Sequence, residues 1–147
     1  MATIKWAAYT DRFTVLTTEL NALTNAGRSA AGTEINNATN LDRWGKFELS
    51  VTFGTAPTAG GYVEIYAVTA PDGTNYEDGS NAVDPGAHNF VDRIPVRSAT
   101  TAQRLTGRQF PMPPAKTKFI LLNASGQAFP ASGSTLKLYT TNEVSVA

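Results

Sequence analysis

From Trp44 to Phe53 the chain alternates with a period of two. Phe47, Leu49, Val51 and Phe53 fall on one face of an extended segment, and Lys46, Glu48, Ser50 and Thr52 fall on the other. This pattern predicts a half-buried strand. Residues 54–61, GTAPTAGG, supply turn chemistry with a Gly-Gly pair able to take positive φ, and residues 62–69, YVEIYAVT, follow as a second strand. Together they read as a β-hairpin. Further strand-like segments lie at residues 90–98, 101–110, 116–124 and 134–141, separated by Pro111, Pro113-Pro114, Gly126, Pro130 and Gly133, and residues 29–37 offer one more. Residues 70–89 are dense in Gly, Asp, Asn, Ser and Pro, whose side chains and backbone preferences favour turns over ladder hydrogen bonds, so a long surface loop is expected there.

The N-terminal stretch has a different rhythm. Trp6, Tyr9, Phe13, Leu16, Leu20 and Leu23 recur at spacings of three and four, which favours a short helix near residues 17–23, or an extended arm with one helical turn. The character changes after Asn25-Ala26-Gly27, giving an expected division into an N-terminal arm, 1–26, and a sandwich domain, 27–147. About seven short strands without intervening helices cannot form parallel crossover units. The expected fold is therefore all-β, an antiparallel β-sandwich with jelly-roll topology preferred.

Composition narrows the picture. A chain of 147 residues suits one hydrophobic core. Cysteine is absent, so disulfides and thiolate metal sites are excluded. No segment approaches the roughly 20 apolar residues of a membrane helix, and the N-terminus lacks the apolar run of a signal peptide, so a cytosolic origin is expected. Charged residues are 16% of the chain, against about 25% in an average domain. Acids and bases cancel, which disfavours a nucleic-acid binder. Their order is uneven: Glu64, Asp72, Glu77, Asp78, Asp84 and Asp92 come with no base among them, then Arg93, Arg97, Arg104, Arg108, Lys116 and Lys118 with no acid. Such blocks either neutralise one another within one fold or join a negative edge of one subunit to a positive edge of the next.

Residues capable of chemistry are sparse. His88 is the sole histidine, sits in the loop-like DPGAHNF, and is unaccompanied by a Gly-x-Ser-x-Gly elbow, so a Ser-His-Asp triad has no frame. Asp72, Asn75, Glu77 and Asp78 are close enough in sequence to offer oxygen ligands to calcium, without EF-hand spacing. Glu48 and Glu64, on the polar faces of successive strands, invite comparison with a glycosidase pair. Trp44, Tyr62, Tyr66 and Tyr76 offer aromatic platforms for a sugar. In each case the ordinary structural role is the commoner one, and neither catalysis nor a cofactor is expected.

The blocks TAGGYVEIYAVTAPDGTNYEDG and PVRSATTAQRLTGRQFPMPPAKTKFILLNASGQAFPASGSTLKLYTTNE resemble a group of small tailed-bacteriophage virion structural proteins, over about residues 27–143. The resemblance implies a jelly-roll sandwich acting as a capsid decoration, or cement, protein. It would be made in the host bacterial cytoplasm and bound, as a homotrimer, to the major capsid protein on the outer surface of the shell. It implies no catalytic residue and no nucleic-acid or membrane partner. The expected interface residues are Ile4, Trp6, Tyr9 and Phe13 in the arm and Arg93, Arg97, Arg104 and Arg108 in the basic block. A tail, collar or fibre-associated protein is the alternative within the virion, and a lectin-like receptor binder is the alternative outside it.

Overall fold

A computed structural model describes all 147 residues and contains two stacked antiparallel sheets with a separate terminal ribbon. Eleven strands follow in order: β1 (Thr3–Trp6), β2 (Thr10–Leu16), β3 (Ile35–Asn36), β4 (Trp44–Val51), β5 (Tyr62–Ala70), β6 (Phe90–Pro95), β7 (Gln103–Thr106), β8 (Phe110–Pro111), β9 (Lys116–Ala124), β10 (Thr135–Thr141) and β11 (Glu143–Val146). One sheet has the order β2-β10-β4-β7, with β8 also on β4, and the other has the order β3-β9-β5-β6. With the short β8 set aside, eight strands form two four-stranded layers, and among these the chain crosses between layers at every step except β5 to β6. That is the strand order of a jelly roll, in which two Greek keys interlock.

The period-two pattern accounts for the core. Phe47, Leu49 and Val51 of β4 meet Val63 and Ile65 of β5, Phe119 and Leu121 of β9, and Leu136 and Leu138 of β10, all buried. Phe47 stacks on Phe110 at 4.8 Å and meets Phe119 edge-on at 4.9 Å, so three rings fill the middle of the sandwich. A Cβ on Gly45 would press into Phe110 and Met112, so the close approach of β8 needs that glycine.

Three expectations are corrected. The segment between β4 and β5 is not a hairpin turn, because β4 pairs with β10 and β7 while β5 pairs with β6 and β9. Phe53 extends the inward series of β4 past its end and is buried against Phe129 at 5.3 Å, which carries the chain over the end of the core to the opposite layer. The helix near 17–23 is only a 3-10 turn, Thr18–Leu20. The threonines and valine before it are β-branched and join β10 as strand β2, where ladder hydrogen bonds override the spacing of three and four. Residues 29–37 contribute only the short β3, and a four-residue helix, Asn37–Asn40, follows and ends at Leu41 in left-handed conformation, φ +57°.

The expected arm of residues 1–26 divides in two. Phe13 packs against the core, Val15, Leu16 and Leu20 lie within it, and β2 is an edge strand of the first sheet. Only β1 stands apart, pairing with β11 from Thr3↔Val146 to Trp6↔Glu143.

Candidate functional site

The carboxylates nominated for catalysis are on opposite outer faces of the sandwich. Phe47 and Leu49 flank Glu48 and point inward, as Val63 and Ile65 do around Glu64, so each glutamate projects from the far side of its own sheet. Stacked sheets are about 10 Å apart, which rules out joint action on one glycosidic bond. Each is instead nearly buried under an arginine. Arg93 donates to Glu64 Oε1 from Nε at 3.1 Å and from Nη2 at 2.5 Å, while the Tyr66 hydroxyl donates to Glu64 Oε2 at 2.8 Å. Arg104 Nε donates to Glu48 Oε2 at 2.8 Å. Hydrogen bonding to these carboxylates favours the charged guanidinium of both arginines.

Three of the four calcium candidates, Asp72, Asn75 and Glu77, are committed to other contacts, and Asp78 is exposed. Asp72 accepts the backbone N–H groups of Thr74 at 2.8 Å and Asn75 at 2.7 Å, and the Asn75 side-chain amide at 2.8 Å, which is an Asx turn. Those bonds hold its carboxyl below the usual range. Glu77 turns back to Thr69, accepting its N–H at 3.0 Å and its hydroxyl at 3.2 Å. Burial alone would raise the Glu77 carboxyl, but hydrogen bonds from Thr69, Asn89 and His88 outweigh it and lower it. His88 itself is three-quarters exposed, with Nε2 3.5 Å from Glu77 Oε2.

Each aromatic nominated as a sugar platform already carries a partner from its own chain. The Arg93 guanidinium lies 4.1 Å from the Tyr62 centroid, Lys118 Nζ lies 4.5 Å from that of Tyr76, and Phe90 meets Tyr66 edge-on at 5.8 Å. Trp44 packs against Trp6 at 5.7 Å and has Arg43 beside its ring. Tyr76 also donates to Glu34 at 2.7 Å, and burial together with that bond raises its phenol pKa.

The long acidic loop has a packing role that its composition conceals. Val68 and Ile120 point away from the main core, yet they are 1% and 0% exposed. A Cβ on Gly79 would come within 2.7 Å of Val68 and 3.3 Å of Ile120, so the loop lies directly over the outer face of the β5–β9 sheet. Arg28 pairs with Asp84 and donates from Nε to the Ser80 carbonyl at 3.3 Å, tying this loop to the segment after the 3-10 turn.

Of the expected interface arginines, Arg93 and Arg104 are the lids on Glu64 and Glu48, on opposite faces. Arg97 is held by Gln103, which accepts its N–H at 2.8 Å and donates to its carbonyl at 2.8 Å. The Arg108 N–H donates to Asp92 Oδ2 at 2.7 Å. The acidic and basic blocks meet directly at Glu64–Arg93, whereas Asp84, Lys116 and Arg104 take partners outside both blocks, in Arg28, Glu34 and Glu48. Asp92 was not nominated as a site residue, yet it bridges the two layers at the acid-to-base boundary.

Of the expected arm residues, Phe13 is partly buried against the core and Tyr9 lies with its ring centroid 5.7 Å from Lys46 Nζ and its hydroxyl donating to Gln109. Ile4 and Trp6 remain 70% and 56% exposed on β1, and Val144 and Val146 on β11 are 42% and 40% exposed. Cross-strand partners share a face, so Ile4 and Trp6 lie with Ser145 and Glu143, and Val144 and Val146 lie with Lys5 and Thr3 on the other side. Each face of the ribbon therefore has one apolar strand and one polar strand. At its base is an open groove lined by Leu41, Trp44, Met112, Asn142, Glu143 and Val144, among others.

No protein-family model matches the chain, and no curated protein matches it in sequence. Among solved structures, the CBM22-1–GH10 modules of Clostridium thermocellum xylanase 10B, determined with xylohexaose, align with 99% of this chain at a TM-score of 0.47 and 11% identity. The chain spans 25% of the length of that protein. The N-terminal cellulose-binding domain of Cellulomonas fimi β-1,4-glucanase C aligns with 86% of this chain and 74% of its own at a TM-score of 0.28 and 16% identity. A carbohydrate-binding module of the β-sandwich superfamily aligns at 0.30 and 12% identity, covering 99% of this chain and 57% of its own. At such values the likeness is confined to the all-β sandwich architecture.

Proposed function

We propose that this protein is a structural, non-catalytic component of a tailed-phage virion, a decoration protein that binds the outer surface of the assembled capsid through the major capsid protein. The observation that carries this reading is the division of labour among its side chains. The candidate acids Glu48 and Glu64, the candidate ligands Asp72, Asn75 and Glu77 and the candidate aromatic rings are engaged within the fold, whereas the terminal ribbon presents Ile4, Trp6, Val144 and Val146 to solvent. Such a molecule acts by contact. A protein that binds only the closed shell stabilises it by mass action, and repetition over a symmetric lattice turns modest contacts into avidity. The resemblance of about residues 27–143 to virion proteins supports the same reading and supplies the trimer as the expected unit.

The test is the copy number and position of the protein in purified particles, read by quantitative gel and electron microscopy. Hundreds of copies on the shell support decoration, and a few dozen or fewer at a vertex or tail overturn it in favour of a collar, tail or fibre component. A sugar-binding role is disfavoured by the occupied rings of Tyr62, Tyr66, Tyr76 and Trp44.

A further inference from the structure

We infer that the groove at the base of the ribbon docks an extended, basic peptide segment of a partner, taking an arginine or lysine side chain against Asp42 and a backbone carbonyl against the Trp44 indole. The inference rests on the reading of this chain as a protein that acts by contact, and it names the chemistry of one contact.

Two orphaned atoms mark the place. Asp42 Oδ2 and Trp44 Nε1 are two of only four buried side-chain polar atoms without a hydrogen-bond partner, and both residues line this groove. Buried polar groups are almost always paired, because an unmade hydrogen bond leaves the loss of solvation uncompensated. Asp42 is 7% exposed. Arg12 Nε lies 3.4 Å from its Oδ2 without completing a hydrogen bond, and Arg12 is not part of the groove lining. The other charges of the lining, Arg43 and Glu143, pair with each other at 2.8 Å, which leaves Asp42 as the lining charge with no partner across the groove.

The loop holds these groups in place. Asn37, 2% exposed, donates from its side-chain amide to the Asp42 and Pro113 carbonyls at 2.9 and 2.8 Å, and accepts the Asp42 N–H at 2.9 Å. Beside that clamp Leu41 takes the left-handed conformation, φ +57°, with 73% of its surface exposed. Leucine is disfavoured there and gains no burial from it, which points to a contact outside the chain.

The lining selects the occupant. A carboxylate needs a cationic donor and an indole N–H needs an acceptor, and a basic peptide carries both close together, in its guanidinium or ammonium and its carbonyls. Leu41, Pro111, Met112 and Val144 form an apolar wall for the methylene stem of the basic side chain. The groove is open and has a volume of about 870 Å³, which suits an extended segment better than an enclosed small molecule. Trp6 lies against Trp44 and Val144 lines the groove, both from the β1–β11 ribbon. A two-stranded ribbon is marginally stable alone, so it yields to let the segment reach the two shielded atoms.

The test is a nuclear magnetic resonance titration of the nitrogen-15-labelled full chain with the peptide Ac-Ala-Ala-Arg-Ala-Ala-NH2 up to millimolar concentration. The probe is the Trp44 indole N–H signal, assigned as the one absent from Trp44→Phe. The expected result is a saturable shift of that signal. The citrulline peptide, of the same shape without the charge, should bind about tenfold or more weakly, and Asp42→Asn should lose the arginine peptide by the same factor. The thermal midpoint of Asp42→Asn should stay within a few degrees of the parent, since Oδ2 accepts no hydrogen bond in the fold. An unmoved Trp44 signal overturns the inference, as does equal binding of the arginine and citrulline peptides, or a folded Asp42→Asn variant that binds as the parent does. Should Asp42→Asn fail to fold, the comparison of the two peptides on the parent decides. A shift with cellohexaose and none with the arginine peptide also overturns it, giving the groove to a sugar. Peptide binding is read on the isolated chain and decoration on the particle, so the two readings fail separately.

Discussion

Replacing Asp92 by asparagine is expected to destabilise the fold by about 2–3 kcal/mol without changing its shape. Asp92 is 6% exposed, and its two oxygens serve different elements: Oδ1 accepts the Arg93 N–H at 2.8 Å and Oδ2 accepts the Arg108 N–H at 2.7 Å. It thus ties β6 of one sheet to the segment after β7 of the other, and a Cβ on Gly107 would overlap Oδ2, so the chain is shaped around this carboxylate. Asparagine has the same volume but one acceptor oxygen. Whichever way its amide is turned, one backbone N–H faces an NH2 group, losing a charge-assisted hydrogen bond of about 1.5–3 kcal/mol and leaving a donor unpaired. Relief from desolvating a carboxylate offsets part of this, whereas alanine forfeits both bonds and should cost about 3–5 kcal/mol. Urea unfolding followed by tryptophan fluorescence and far-ultraviolet dichroism measures the change as a shift in midpoint at constant slope. At roughly 2–4 °C per kcal/mol, D92N should lower the melting temperature by about 4–12 °C. A D92N protein within about 0.5 kcal/mol of the parent would refute the bridging role. Loss of the difference in 0.5 M salt would instead make Asp92 a charge partner of the arginine side chains.

Ile120→Ala should cost about 2–5 kcal/mol although Ile120 lies outside the main core, and should speed proteolysis within residues 70–89, because that loop loses the surface it covers; unchanged cleavage would mean the loop is held elsewhere. The Tyr66 phenol is pushed up to about 12 by burial and then by its bond to Glu64. The neutral phenol therefore contributes stability that is fully present below the unfolded value near 10 and is lost as pH rises from there to about 12. Tyr66→Phe should flatten that alkaline limb, by less than ~1 kcal/mol since the group is partly solvated. At the acid end Glu77 is lowered, so its contribution is present above the usual carboxylate range and is lost as pH falls through it. Glu77→Gln should reduce the fall in melting temperature below about pH 4.

Local periodicity decided a good deal. The inward series Phe47, Leu49, Val51 and Phe53 needs nothing beyond alternation, and the bounds 116–124 and 134–141 fall within a residue of β9 and β10. The antiparallel sandwich follows from strands without helices between them. Partnership between strands is another matter, because a segment with one apolar face satisfies that face equally well in a hairpin or across the core. The packing of Phe53 on Phe129 sends β5 to the opposite layer. The same limit explains the sites. A glutamate at a polar strand position reads identically whether solvated or capped, and only the register Glu64↔Arg93 and Ser50↔Arg104 turns Glu64 and Glu48 into buried ion-pair partners. Asp92 and the pair Val68 and Ile120 lay hidden for a related reason: their burial depends on segments distant in sequence, the β7 end and the loop around Gly79. Ile4 and Trp6 were legible as unsatisfied apolar residues near the N-terminus. That their strand pairs with Glu143–Val146 from the other end of the chain, in a ribbon with two open edges, was decided only by the closure of the sandwich, which brings both ends to the same edge of one sheet.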